Sequence, residues 1–247
     1  MCVKIGQDVP EIVAKWSSLK RWMMSIKVIL AMMTQFAVIA LALFVPAGTL
    51  NWPAGWMFLV LLTGFIIAVA RLLARHNPEL LEERASFFRA NQKGWDKVFL
   101  ALYTFSGIAW LIVMALDAVR FSWSHVPVWL QGGSVIGLIL SFSIIYLAFQ
   151  ENAYLSSVVR IQDDRGQTVV MTGPYRYVRH PMYAGLLILF PATAVVLGSW
   201  YGFVLALVLD GMFAVRAVLE ERMLWEELKG YDTYSAKVKY RLIPYVW

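Results

Sequence analysis

Charge is scarce in this chain, and so are the residues on which soluble enzymes most often build a site. Only 15% of its 247 residues are charged, against roughly 25% in soluble domains, while 60% are hydrophobic and the mean hydropathy is +0.63. One cysteine, Cys2, excludes an intramolecular disulfide framework and any CxxC metal or redox pair. Three scattered histidines, His76, His125 and His180, form neither an HExxH motif nor a zinc cluster, so no metal is expected. GxGxxG and the P-loop pattern are both absent, which removes the usual signals for dinucleotide or nucleoside-triphosphate binding. Internal repeats and low-complexity linkers are also lacking. What remains is apolar surface in excess of what one core of this length buries, and that predicts an integral membrane protein.

Uncharged runs fall at about 28–45, 53–70, 98–116 and 126–149, followed by an unbroken run from Met182 to Leu209 that stays apolar to Leu219. A crossing takes about 20 helical residues. The last run is too long for one crossing, and Leu197-Gly198-Ser199-Trp200 offers a tight turn near its middle. It reads as a helical hairpin, 182–197 and 200–220. The predicted fold is all-α: six transmembrane helices, the last two a hairpin, with a C-terminal amphipathic helical region. Two parts are expected, an N-terminal tail with four spans (1–149) and a second region (150–247) carrying the hairpin and tail. Gly133 and Gly137 form a GxxxG in the fourth span, a weak helix-packing signal.

The basic residues test the count. With six spans, 21 of the 22 lysines and arginines lie on one side and only Arg120 on the other. The positive-inside rule assigns the crowded side, with both termini, to the cytoplasm. The net charge of +6 then reflects orientation and anionic lipid rather than nucleic acid. The N-terminal stretch lacks a small-residue cleavage site and reads as retained, with residues 10–24 a candidate amphipathic helix on the cytoplasmic surface.

Two polar clusters meet this boundary. Gly173 to Gly185, GPYRYVRHPMYAG, packs two arginines, one histidine, three tyrosines and two prolines into thirteen residues. His180-Pro181 marks a helix start, because proline is favoured in the first turn. The free N–H groups there attract an anion, with Arg176 and Arg179 adding positive charge. The bland reading is an interfacial belt of tyrosine and arginine. The second cluster lies on the last span. Arg216 and Glu220 are four residues apart, within about 40° on a helix, and so can pair. Glu221 points about 100° away from Glu220, so the two carboxylates face different partners, one of them free for a ligand, or else they form a solvated helix end. Asp210 lies about 15 Å from the outer helix end, where a carboxyl is costly and functional, or else neutral and hydrogen-bonded. In the tail, Leu224, Leu228, Tyr231 and Tyr234 suggest an amphipathic helix, with Gly230 closing one helix and Asp232 opening another. Those aromatics are packing residues first, and a candidate floor under a cofactor second.

At these residues the chain resembles the isoprenylcysteine carboxyl methyltransferase family, which is related to the membrane phospholipid N-methyltransferases. The resemblance rests on Gly173-Pro174-Tyr175, on Arg179-His180-Pro181-Met182-Tyr183 with Gly185, and on Arg216 with Glu220-Glu221. Tyr231, Tyr234 and Arg241-Leu242-Ile243-Pro244 add to it. It covers about residues 150–247. Earlier in the chain, Asn77-Pro78-Glu79-Leu80-Leu81 and Lys93-Gly94-Trp95-Asp96 look like loops of bacterial members. The resemblance implies S-adenosylmethionine at the cytoplasmic face, held by Gly173, Pro174, Tyr175, Arg179, His180, Pro181, Tyr183, Gly185, Glu220 and Glu221. Arg216 would orient an anionic acceptor, which would enter sideways from the bilayer. Glu221→Ala and His180→Ala are expected to weaken cofactor binding without unfolding the chain.

Candidate acceptors are an isoprenylcysteine-like carboxylate, a phospholipid amine or a small thiol. Two other classes compete. A membrane NADPH-dependent sterol or enone reductase is suggested by the terminal VKYRLIPYVW, but needs a basic pocket for the 2′-phosphate beyond Lys237, Lys239 and Arg241. A transporter or scaffold should show inverted repeats and several polar residues at mid-depth, where only Asp210 is charged.

Overall fold

In the computed structural model the described residues are 9–84 and 92–247, with side chains from Ile26 onward. Among them the chain forms eight α-helices and no strand: α1 (Val9–Ala47), α2 (Pro53–His76), α3 (Pro78–Arg84), α4 (Gly94–Ala115), α5 (Val128–Glu151), α6 (Pro181–Leu197), α7 (Trp200–Glu227) and α8 (Tyr231–Lys237). A π-helical turn, Leu116–Arg120, extends α4. The expected surface helix over 10–24 is continuous with α1, and its side chains lie outside the described residues.

Among the described residues five helices are long and apolar enough to cross a membrane: Ile26–Ala47, Pro53–His76, Gly94–Arg120, Val128–Glu151 and Trp200–Glu227. The sixth expected crossing is α6, whose 17 residues reach about 25 Å, short of a hydrocarbon core of about 30 Å. The hairpin is present, and its turn explains the short helix. Gly198 closes α6 in the left-handed region at φ +86°, and Ser199 caps α7 by accepting the Gly202 N–H at 2.8 Å. Asp117, fully buried in the π-turn, accepts from the Ser199 and Ser124 hydroxyls at 2.6 and 2.7 Å. That carboxylate ties the outer ends of α4 and α7 together.

The hydrophobic core runs through the bundle, from Leu43 on α1 and Phe58 on α2 to Phe190 on α6 and Phe213 on α7. Aromatic rings fill its centre. Phe213 meets Phe99, Tyr103 and Phe190 edge-on or tilted at 5.1–5.8 Å, and Trp110 donates its indole N–H to the Gly202 carbonyl at 2.8 Å. Large apolar side chains such as Phe105, Val128, Trp129 and Ile136 point outward, as lipid-facing residues do.

The most extensive helix packing is between α5 and α6, and glycine allows their close approach. Gly137 faces Ala192, while its GxxxG partner Gly133 has open space beside it, so only half of that motif serves packing. Gly185 sits against α5: a Cβ there would lie 2.5 Å from Ile145 Cγ1 and 3.3 Å from the Ser141 carbonyl. Ser141 donates its hydroxyl to the Gly185 carbonyl at 2.9 Å. Gly185→Val is therefore expected to wedge α5 from α6 and cost about 2 kcal/mol, read as a lower unfolding midpoint in detergent. An unchanged midpoint would show that the two helices do not depend on this close approach.

Candidate active site

The 173–185 segment is shaped by its two prolines and by one backbone constraint. Gly173 takes φ +54°, and the Glu151 side chain lies directly beneath it; a Cβ would collide with Glu151 Cγ. Thr172 donates its hydroxyl to the Glu151 carboxylate and secures the turn. Pro174 then opens a single 3-10 turn, Gly173–Arg176. That turn buries Tyr175, whose hydroxyl accepts from Asn152 at 3.0 Å and whose carbonyl accepts from the Tyr234 hydroxyl at 2.8 Å. Next, the chain pairs with the C-terminal tail: Arg179 N–H to the Tyr240 carbonyl, His180 N–H to the Arg241 carbonyl. Pro181 begins α6 at the position its missing N–H favours.

On α7 the two glutamates part company. The helix continues to Glu227, two turns past the predicted end at 220, so neither lies at a frayed terminus. Glu221 is fully buried and serves as a hub. Its carboxylate takes Arg179 Nε at 2.5 Å and Arg241 Nε at 2.7 Å. His180 Nε2 stands 3.3 Å away, off the line of a good hydrogen bond. Arg179 also donates to the Val238 and Lys239 carbonyls. Glu221 thus pins the tail to the 173–185 segment. Glu220 turns the other way and accepts the Tyr183 hydroxyl at 2.6 Å. The Tyr183 ring stacks on His180, with centroids 5.5 Å apart.

Arg216 does not close a hydrogen-bonded pair with Glu220. Its Nη2 lies 2.8 Å from Asp96 of α4 and donates to the Ser157 carbonyl at 2.9 Å, and its guanidinium lies over the Phe99 ring. The i,i+4 spacing permits the pair with Glu220, but tertiary packing supplies a buried carboxylate and a ring from another helix.

These residues surround an open-mouthed cavity. Arg216, Tyr183, Glu220, Arg179, His180, Pro181 and Tyr175 line it. Gly173, Pro174, Gly185 and Glu221 stand behind the wall, where they shape the turn, the α5 contact and the tail anchor. Three buried polar atoms on the lining residues have no hydrogen-bond partner: His180 Nε2, Arg216 Nε and the Tyr231 hydroxyl. Burial raises the Tyr175, Tyr231 and Tyr234 hydroxyls above the ordinary phenol range, so each remains a neutral donor at physiological pH. Asp210 is outside the cavity lining, and its Oδ1 is buried without a hydrogen-bond partner.

One wall was not singled out from the sequence. Residues 152–170 cross the mouth with Tyr154, Ser156, Val159, Gln162 and Val169 among the lining side chains. Val159, Ile161 and Val169 pack with Met223, Leu224, Tyr231 and Tyr234 in a second apolar cluster. The alternation in Val159-Arg160-Ile161-Gln162 is the signal that marks this wall. Its fastening comes from α3: Glu83, buried, accepts from Ser156 and Arg160, and Arg84 donates to the Leu155 carbonyl at 2.8 Å. Burial lowers the Arg84 guanidinium to about 10, still charged at neutral pH. Among the described residues no group of three or more His, Cys, Asp or Glu is arranged to hold a metal ion.

Comparison with known proteins centres on this same region. Residues 132–229 match the phospholipid methyltransferase family. That match runs from α5 through the cavity-lining segments to the end of α7. No curated protein matches the sequence. Among solved structures, the fold is similar to that of the eukaryotic intramembrane Ras methyltransferase, isoprenylcysteine carboxyl methyltransferase. The likeness has a TM-score of 0.57 at 17% identity and covers 98% of this chain and 87% of that one. The described residues therefore have a polytopic membrane fold of this type.

Proposed function

We propose that this protein is an integral membrane methyltransferase that uses S-adenosylmethionine and methylates a hydrophobic acceptor, an isoprenylcysteine-like carboxylate first among them. The observation that carries the reading is the coincidence of the phospholipid methyltransferase match, residues 132–229, with much of the cavity lining. The fold likeness to the Ras methyltransferase supports it. The asymmetry of the basic residues supports a cytoplasmic location for both termini and the cavity mouth.

The donor set suits this cofactor. Unpartnered buried atoms on His180, Arg216 and Tyr231 are ready for a polar ligand, while Met223, Leu224, Leu228 and Tyr234 offer an apolar and aromatic surface for a purine. Arg179, His180, Tyr183 and Glu220 would hold it, with Glu221 acting from behind through Arg179. When bound, S-adenosylmethionine supplies an electrophilic methyl carbon on a sulfonium.

The chain's own residues then have three tasks. Arg216 sits four positions along α7 from Glu220, about 6 Å deeper toward the bilayer, where the acceptor headgroup would arrive. Its unpartnered edge orients a carboxylate. A terminal carboxylate ordinarily titrates at about pH 3.5 and is already ionised at neutral pH, so no residue has to take its proton. The 152–170 wall and the Tyr183–Glu220 pair exclude water, and alignment of the reacting atoms provides the rate.

The test is thermal unfolding of detergent-purified protein with S-adenosylhomocysteine and, separately, with NADPH. At about 100 times its Kd a ligand stabilises the native state by about 2.7 kcal/mol. A shift with S-adenosylhomocysteine alone is the expected result. A shift with NADPH alone would replace this reading with the reductase.

A further inference from the structure

Asp96 has no role in the reading above, yet it is a buried carboxylate that joins the cavity's arginine to its wall. It lies in the first turn of α4 and is fully buried. Oδ1 is 2.8 Å from Arg216 Nη2, an ion-pair contact off the line of a hydrogen bond, and Oδ2 accepts the Val159 N–H and the Gln92 amide, each at 2.9 Å. Arg216 Nη2 in turn reaches the Ser157 carbonyl at 2.9 Å. One turn along α4, Phe99 places its ring under the same guanidinium, 4.7 Å from centroid to Cζ. Three separate elements, α4, α7 and the 157–159 wall, therefore meet at a single carboxylate.

From this geometry we infer that Asp96 is a positioning residue for methyl transfer, setting the aim of Arg216 and the seat of the Ser157–Val159 wall together; the inference rests on the methyltransferase reading. The reasoning is one of constraint. An arginine side chain has several rotatable bonds, and a group meant to orient an acceptor has to be held to about 1 Å. Asp96 and Ser157 occupy Nη2, and Phe99 covers one face. Nε is left without a hydrogen-bond partner, on a residue that lines the cavity. The Val159 N–H bond carries the same restraint to the wall that packs on Met223 and Tyr231.

Asp96→Asn tests this, because it keeps the shape and the acceptor for Val159 while removing the charge that holds Arg216. The assay uses the full chain with S-adenosylmethionine and N-acetyl-S-farnesylcysteine, and calorimetry with S-adenosylhomocysteine. Turnover is expected to fall about tenfold or more while S-adenosylhomocysteine affinity changes less than about threefold. In an Arg216→Met background Asp96→Asn is expected to cause no further loss, since Asp96 acts through Arg216. Unchanged turnover in Asp96→Asn, or losses that simply add, would overturn the assignment. If the single variant does not fold, Asp96→Asn with Arg216→Met removes both buried charges and is expected to fold; a double variant no better folded than the single one counts against the pairing. Amide exchange at Val159 in ligand-free protein gives a readout without turnover: faster exchange in Asp96→Ala is expected, and unchanged exchange sinks the proposal. Wild-type protein that neither binds S-adenosylhomocysteine nor transfers a methyl group overturns the methyltransferase reading itself. An active wild type with an indifferent Asp96→Asn overturns only the role of Asp96.

Discussion

Glu221→Ala is expected to destabilise the protein by about 3 kcal/mol or more, the cost of leaving buried charges without their partner. The reason is the number of groups on one carboxylate. Arg179 and Arg241 both bond it, with side chains 8% and 17% exposed, and His180 stands beside it. Removing Glu221 leaves two guanidinium groups facing each other across the space it filled. Arg241 belongs to the tail that pairs with Arg179 and His180 through the Tyr240 and Arg241 carbonyls, so the tail should loosen. Two measurements check this: a lower unfolding midpoint in detergent, and faster tryptic cleavage after Lys239 and Arg241. Glu220→Gln is the control, since Glu220 lines the cavity and bonds only Tyr183 among its described hydrogen-bond partners. It should unfold near the wild-type midpoint. Equal midpoints for Glu221→Ala and wild type would remove the hub assignment. The expectation from sequence, weaker cofactor binding through an intact protein, gains a stability term that the partners of Glu221 make unavoidable.

Arg216→Met is expected to lower methyl transfer to N-acetyl-S-farnesylcysteine by about a hundredfold while S-adenosylhomocysteine affinity changes little. Methionine fills similar space over Phe99 but offers no donor to an acceptor carboxylate. Asp96 keeps its bonds from Val159 and Gln92 but loses its ion partner while buried, so a lower unfolding midpoint is expected as well and turnover is compared per folded protein. The separation of turnover from cofactor affinity is the informative part. A comparable loss of both would place Arg216 against the cofactor, and no loss of turnover would remove it from the acceptor site. Arg216→Lys should recover only part of the activity, because an ammonium cannot serve Asp96, Ser157 and a substrate with the planar fork of a guanidinium.

Much of the architecture was legible along the chain because membrane helices are specified locally. Hydropathy marks the runs that become α1, α2, α4, α5 and α7, and Gly198-Ser199 marks the turn at which α6 gives way to α7. Gly230 marks the break as expected, but as the left-handed residue that opens α8 at Tyr231, since α7 already ends at Glu227 with Leu228 extended. The site was half legible. Arg179, His180, Tyr183 and Glu220 do share one cavity, as their spacing on either side of a hairpin suggested. The wall from 152 to 170 was not, since its residues have no helical period and its anchors on α3 lie some seventy positions earlier.

By itself, the sequence determined that this chain is a multi-pass membrane protein and where its apolar helices begin and end to within a turn or two, and it pointed to two polar clusters. Those properties depend on residues close together in the chain: apolar length, prolines at helix starts, glycines at turns. Only the tertiary structure decided which carboxylate serves which arginine. Helical spacing offered Glu220 to Arg216, but packing gave Arg216 to Asp96, 120 positions away, and gave Glu221 to Arg179 and Arg241. A buried charge takes the partner that the fold brings within about 3 Å, and that proximity is set by how whole helices pack rather than by periodicity along one of them.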